Sequence, residues 1–182
     1  SLRRVGYRID AVPARGYRLV SVPDRLAGLE LTPLLSTHDL GSVIHHYESV
    51  ASTNEVALKL AAEGAGHGEV VIAEQQTSGR GRRGRAWASP SKLNLYLSAI
   101  LRPDLPPQRA PELTLVAAVA VAETLVEAGA AAQIKWPNDL HVGGKKISGI
   151  LTELAADPDR IHYAVVGIGV NLNALSADFA PE

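Results

Sequence analysis

Between residues 79 and 85 the chain reads Gly79-Arg80-Gly81-Arg82-Arg83-Gly84-Arg85. Four guanidinium groups at this density form a grip for anions, because each is planar, permanently charged and shaped to meet two oxygens of a carboxylate or phosphate at once. The interleaved glycines let the backbone turn sharply and approach a ligand closely. The spacing is not that of a Walker A loop. An Arg/Gly segment can also be a flexible binder of single-stranded nucleic acid. This one lies between two apolar stretches, Val70–Ala73 and Leu93–Leu101, rather than at a terminus, and Gln76 and Trp87 flank it. That position favours a ligand-gripping loop.

A second cluster is Lys135-Trp136-Pro137-Asn138-Asp139, followed by Lys145-Lys146-Ile147-Ser148-Gly149-Ile150-Leu151. A lysine pair beside Gly143-Gly144 is ordinarily a solvated hairpin shoulder, and Asn138-Asp139 has turn chemistry of its own. Lys135 sits between Ile134 and Trp136 in an apolar run, where a charge is costly to bury without a partner. Ser148 and Gly149 interrupt an otherwise apolar strand, which suits close approach by a ligand. A third cluster, Ser52-Thr53-Asn54-Glu55, reads as a capping box that starts a helix. A helix N-terminus offers free N–H groups as well as hydroxyls to a polar ligand.

These clusters need elements to hold them. Val5–Val12 and Tyr17–Val20 read as a hairpin around Pro13-Ala14-Arg15-Gly16. Pro23 and Asp24 mark a linker, and Pro33 interrupts any helix between residues 25 and 42. Strands are expected at Ile44–Val50, Val70–Ala73, Leu93–Leu101, Ile134–Trp136, Leu140–Val142, Ile147–Leu154 and Ile161–Val170. One helix follows Ser52 and ends near Gly64, and another enters at Pro111 and stops at Gly129. Hairpin-length connections late in the chain favour an α+β fold, with a mixed or antiparallel sheet and helices packed on one face.

Composition narrows the class. Of 182 residues, 46% are hydrophobic and none is cysteine, which excludes disulfides and thiolate metal sites and fits a cytoplasmic protein. No apolar run reaches the length of a membrane span, and the chain opens on no secretory signal. Methionine is absent even from position 1, so a longer parent chain is expected. Residues 1–25 and 80–85 each carry a charge of +4, which leaves −9 on the rest against a formal total of −1. Two anion-facing places stand on an otherwise acidic chain.

Taken in order, Ser52-Thr53-Asn54, the Gly/Arg loop with Trp87, Lys135-Trp136-Pro137-Asn138-Asp139 and Lys146-Ile147-Ser148-Gly149-Ile150-Leu151 resemble the successive motifs of biotin–protein ligases. Asn171 in Gly167-Ile168-Gly169-Val170-Asn171 matches a further family position. The resemblance spans residues 43–173, and it implies a catalytic fold like that of class II aminoacyl-tRNA synthetases over residues 43–182. Residues 1–22 resemble the wing hairpin of the winged-helix DNA-binding domain carried by repressor-type ligases, and residues 23–42 form the linker. The same resemblance implies a small C-terminal β-barrel in the family, which is not expected within these 182 residues.

The resemblance also implies a reaction. Biotin and ATP condense to biotinyl-5′-adenylate and pyrophosphate, with Mg2+ accompanying the nucleotide. A lysine of the biotin carboxyl carrier protein then takes the biotinyl group. Ser52, Thr53, Asn54 and Gln76 are expected to bind the ureido end of biotin, with Gly79, Gly81 and Gly149 giving room around it. Arg80 and Arg82 would fold over carboxylate and phosphate, and Lys146 would be the main catalytic cation, with Asp139 orienting the incoming lysine. Arg83, Arg85, Trp87, Lys135, Asn138 and Asn171 would serve the nucleotide. A homodimer formed along the sheet edge near Ile161–Val170 is expected, and DNA is a partner only through the incomplete N-terminal part. Two other readings remain: a lipoate–protein ligase-like acyl transferase, and a non-catalytic metabolite-sensing transcription regulator.

Overall fold

A computed structural model describes residues 2–23 and 25–179; Asp24 of the expected linker, Ser1 and residues 180–182 lie outside the described residues. Strands β1 (Arg8–Val12) and β2 (Gly16–Ser21) form a two-stranded antiparallel hairpin of their own. A single turn of helix, α1 (Gly28–Leu31), is followed by a short 3-10 turn at Thr32–Leu34, where Pro33 falls. The rest is one seven-stranded sheet with two helices. Its elements in chain order are β3 (Ile44–Tyr47), α2 (Thr53–Ala62), β4 (Val70–Ala73), β5 (Leu95–Leu101), α3 (Ala110–Glu127), β6 (Gln133–Lys135), β7 (Asp139–Val142), β8 (Lys145–Ala156) and β9 (Ile161–Val170).

The spatial strand order is β3-β4-β5-β9-β8-β7-β6. Only β3 and β4 run parallel, and α2 makes the crossover that a parallel pair requires. All other neighbours are antiparallel, so the sheet is mixed and the fold is α+β.

Two sequence expectations about this sheet need correction. The helices do not share a face. On β9, Val165 packs with Ala57 and Ala61 of α2, whereas its neighbour Val166 packs with Ala118 and Leu125 of α3. Successive strand residues point to opposite sides, so α2 and α3 lie on opposite faces. The central strands must then be apolar on both sides, as the unbroken run Ala164-Val165-Val166 is. Nor is β9 a sheet edge. It is hydrogen-bonded to β5 on one side and β8 on the other, which removes it as the edge of a dimer.

Helix α3 begins and ends where local chemistry dictates, whereas α2 is finished by a distant residue. Pro111 occupies the first turn of α3, and Gly129 takes the left-handed conformation just beyond its end, at φ 89°. For α2, the carbonyls at the C-terminal end are collected by Arg102, which donates to Ala61 O at 2.8 Å and to Ala65 O at 2.7 Å and stacks its guanidinium on the Tyr163 ring at 5.8 Å. Among the described residues no helix is long and apolar enough to cross a membrane.

Arg102→Ala leaves these carbonyls to water and removes a cation from the helix C-terminus. It should lower stability by about 1–2 kcal/mol, read from chemical denaturation with an unchanged m-value.

Candidate functional site

The face of β8 and β9 turned toward α2 carries three glycines. Gly149 on β8 pairs directly with Gly169 on β9, and Gly167 lies opposite Leu151. The strands thus offer a floor of bare backbone, and two side chains occupy the space. Trp87 lies against Gly149 and Gly169: a Cβ at Gly169 would stand 2.5 Å from the indole Cε2 and Nε1. Asn54 fills the place above Gly167, where a Cβ would fall 2.0 Å from its Oδ1.

Asn54 is buried to 3% exposure and its amide is fully engaged. It donates to Leu151 O at 3.2 Å and to Glu153 Oε2 at 2.8 Å, and accepts from Ser98 Oγ at 2.6 Å. The residue expected to contact ligand thus spends its polar capacity on the sheet and acts as an anchor. Ser52 also departs from expectation. It stands at the helix N-cap position in an extended conformation, but makes no side-chain cap bond. Gln76 does that work instead: its Oε1 accepts from Thr53 N at 2.8 Å and lies 3.1 Å from Thr53 Oγ1, while its Nε2 donates to Ser89 Oγ at 2.9 Å. A chain of polar groups therefore runs through Ser89, Gln76, Thr53, Ser98 and Asn54. Nearby, Tyr96 donates to Pro90 O at 2.9 Å, and burial pushes its phenol up to about 12, so it remains a donor.

The Gly/Arg loop closes as a turn over this wall. Gly81 N donates to Arg85 O at 2.7 Å and Trp87 N to Gly79 O at 2.8 Å, with Arg83 in the left-handed region at φ 59°. Gly79 is buried tightly, since a Cβ would stand 2.4 Å from Trp87 O, whereas a Cβ at Gly81 would meet only ordinary contacts. Arg80 reaches Glu153 Oε2 at 3.2 Å, and Arg82 donates to Asn138 Oδ1 at 3.1 Å. Asn138 in turn donates to Ile150 O at 3.0 Å, fixing the start of β7 to β8.

Two cavities meet beneath the loop. The first is a slot of about 50 Å3 lined by Ser52, Thr53, Gln76, Arg80, Trp87 and Lys146 together with the glycine floor. The second, of about 400 Å3, is lined by Arg82, Arg83, Arg85, Lys135, Asn138 and Asp139. Arg82, Trp87, Asn138 and Lys146 border both. Lys146 Nζ stands at the junction, 2.8 Å from Asp139 Oδ1 in an ion pair and 5.3 Å from the centre of the Trp87 ring. The slot is much smaller than the roughly 300 Å3 typical of a ligand pocket, so a ligand must widen it, and Trp87 is the largest side chain in the way.

Of the ligand-binding and catalytic residues expected from the sequence, all but Gly79 and Asn171 border one of these cavities, and Ser148 borders neither. Asn171 is turned to Asn94, 3.4 Å away. Ser148 is fully buried on the opposite face from Gly149, paired across to Val170, and its hydroxyl has no hydrogen-bond partner among the described residues. Lys135 borders the wide cavity, but the expectation that it is buried fails. It lies exposed on β6, the terminal strand of the sheet. Glu153, Ser98 and Ser89 were missed. Glu153 follows Gly149 and Leu151 at the strand period of two, so one acid on an otherwise apolar strand face was the available signal.

The arrangement can hold a small acid in a slot with a polar end, and a larger polyanion beside it. Comparison with known proteins gives the same direction. A profile described as the biotin/lipoate A/B protein ligase family matches residues 47–171. The bifunctional ligase/repressor BirA of Bacillus subtilis is 43% identical over 182 residues, which cover 100% of this chain and 56% of that protein. A biotin–[acetyl-CoA-carboxylase] ligase of Paracoccus denitrificans is 44% identical over 124 residues, covering 66% of this chain and 51% of that one. The biotin protein ligase of Aquifex aeolicus, solved in complex with biotin and ATP, superposes with a TM-score of 0.61 at 34% identity over 77% of this chain and 55% of that chain. The chain therefore spans about half the length of the relatives it matches.

Gly169→Ala places a methyl group where the Trp87 indole lies. The indole should leave the floor, with a red shift of tryptophan emission and a stability loss of about 1–3 kcal/mol by thermal or chemical denaturation. Unchanged emission would show that Trp87 does not depend on the glycine floor.

Proposed function

Since the chain belongs to the biotin/lipoate A/B protein ligase family, we propose that it is the catalytic part of an ATP-dependent biotin–protein ligase. In this reading it joins biotin to AMP with loss of pyrophosphate, and then passes the biotinyl group to a lysine of the biotin carboxyl carrier protein. The observation that carries the proposal is the junction of the two cavities at Lys146 and Arg82.

The first step must bring a carboxylate and a triphosphate together against their mutual repulsion. A narrow slot ending at the Ser52, Thr53 and Gln76 groups suits a compact bicyclic head with hydrogen-bonding capacity. The basic cavity beside it suits the nucleotide, with Arg83, Arg85 and Lys135 meeting its phosphates. Lys146 and Arg82 stand where the carboxylate oxygen attacks the α-phosphorus, and pyrophosphate leaves as the P–O bond to it breaks. Fixed cations there stabilise the charge of the transition state, and holding both reactants in one place removes the entropic cost of their encounter. Trp87 closes the slot, and its buried indole N–H, without an acceptor among the described residues, favours a polar ligand atom there. In the second step the acceptor amine attacks the carbonyl of the mixed anhydride and AMP departs. In this reading Asp139, 2.8 Å from Lys146, orients that amine.

The lining suits phosphate better than a divalent cation. Among the described residues around the wide cavity Asp139 supplies the only carboxylate, and it is paired with Lys146. Magnesium would therefore travel with the nucleotide phosphates, with no cluster of acidic ligands for it among the described residues. The polar end of the slot at Ser52, Thr53 and Gln76 favours biotin over the lipoate alternative.

A regulatory role of the parent protein is a second reading, supported by the match to BirA across the whole of this chain, including the β1–β2 hairpin. We read residues 1–22 as the wing of a DNA-binding domain, residues 23–42 as its linker and residues 43–182 as the catalytic unit. If the protein dimerises through a sheet edge, the candidates are the terminal strands β3 and β6 and the stretch of β8 beyond Ile150, where pairing with β7 has ended.

Calorimetric titration should give binding of biotin and tighter retention when ATP is present; heat from lipoate without heat from biotin would sink this reading. Lys146→Ala should lower biotin- and ATP-dependent pyrophosphate exchange by at least about 100-fold, the scale of losing a transition-state charge contact, and near-normal exchange would remove Lys146 from the reaction.

A further inference from the structure

Glu153 borders neither cavity, yet one of its oxygens connects the buried polar wall of the slot to the Gly/Arg loop. Its Oε2 accepts from the Asn54 amide at 2.8 Å and from the Arg80 guanidinium at 3.2 Å. Asn54 is locked by its other bonds, to Leu151 O and Ser98 Oγ, and through Ser98 it is tied to Thr53 and the Gln76 end of the slot. Glu153 is therefore held from behind by a buried amide whose orientation cannot drift. Its carboxylate is 28% exposed, and the Arg80 side chain in front of it is 44% exposed. Without that partner Arg80 would be a long surface side chain with many rotamers open to it.

We propose that Glu153 is a positioning residue: it holds Arg80 over the slot and makes the placement of the Gly/Arg loop depend on the polar wall that receives the small acid. The proposal rests on the reading of the slot as the biotin site. A guanidinium carries five N–H donors, and Glu153 engages only the Nη2 end, which leaves other donors available to a ligand carboxylate. Fixing the side chain before the ligand arrives spares the entropy of ordering it on binding. Two other roles make different demands. If Glu153 served only to satisfy Asn54, its loss would act independently of Arg80. If it competed with the ligand for Arg80, its loss would tighten binding of the acid.

A double-mutant cycle separates these possibilities. Biotin affinity is measured calorimetrically for the wild-type protein, Glu153→Gln, Arg80→Ala and the double variant, with thermal melts as the folding control. Glutamine keeps the shape and an acceptor for Asn54 but removes the charge that orders Arg80. Glu153→Gln should weaken biotin binding by about fivefold, the scale of a partly exposed ion pair, and the same change in the Arg80→Ala background should cost less than about twofold. Glu153→Asp, which withdraws the charge by one methylene, should show the same loss and answers the question if the glutamine variant folds poorly. Equal losses in both backgrounds, unchanged affinity or tighter binding each overturn the proposal. Failure of the wild-type protein to bind biotin overturns the functional reading along with it, whereas normal wild-type binding with an indifferent Glu153 overturns only the positioning role.

Discussion

On the face of β8 and β9 turned toward α2, the backbone at Gly149, Gly167 and Gly169 lies bare, and the rest of the site depends on that clearance. A methyl group at Gly167 would collide with the Asn54 amide, and one at Gly169 with the Trp87 ring. If Asn54 could not descend onto the sheet, its bonds to Leu151 O, Glu153 and Ser98 could not form together, and the start of α2 would lose its fixed height over β5 and β9. If Trp87 could not lie flat, the Gly/Arg loop, whose closing bond runs from Trp87 N to Gly79 O, would have no seat. The clearance is affordable because these strands are central. Each is hydrogen-bonded on both sides along this stretch, and their other faces pack on α3, so the side-chain packing lost at three positions is offset by the ladder and by the opposite face.

The placement of helices on both faces follows from the same strands. A sheet carrying one helix layer would leave either the Val165 or the Val166 side to water, yet both are buried. The α3 side is mainly apolar, with the Ser148 hydroxyl and the Thr114–Thr152 pair as polar exceptions, and builds the larger hydrophobic cluster. The α2 side is divided: apolar at Ala57, Ala61, Val71 and Ile100, and polar at the helix N-terminus, where Thr53, Asn54 and Ser98 meet. Buried polar groups of this kind are tolerable only when fully paired, and here each finds a partner within the chain that runs from Ser89 to Glu153. One face is thus given to stability and the other shares stability with recognition.

Charge is distributed by the same logic. The cations collect at the junction and in the wide cavity, and only some are neutralised: Lys146 by Asp139 and Arg80 by Glu153, whereas Arg82 donates to the uncharged Asn138. A partial set of counter-ions positions long side chains without cancelling the field that draws in an anion. A fully paired site would be more rigid and less attractive to phosphate; an unpaired one would leave four arginines and two lysines repelling each other around the same opening.

Much of this could be read directly from residue order. Strand and helix positions followed from periodicity and from Pro and Gly punctuation, because those signals act within a few residues: Pro111 at the start of α3 and Gly129 beyond its end are local chemistry. The anion-gripping loop, the lysine at the junction and the polar start of α2 were legible because residue type and spacing alone limit what they can do. What remained hidden is what depends on distance across the sheet. Whether α2 and α3 share a face, whether β9 is an edge, and whether Ser148 or Gly149 faces the slot are matters of strand order and phase, which local pattern does not encode. The roles of Asn54 and Gln76 could not be separated in the sequence either, since both carry the same amide; their partners, Glu153 at a separation of 99 residues and Thr53 at 23, exist only once the chain has folded. The sequence by itself determined which groups are available to meet an acid and a nucleotide. Only the tertiary structure decided which of them face the ligand and which are spent holding the others in place, because a side chain's hydrogen-bonding capacity is finite and its nearest partners are chosen by the fold.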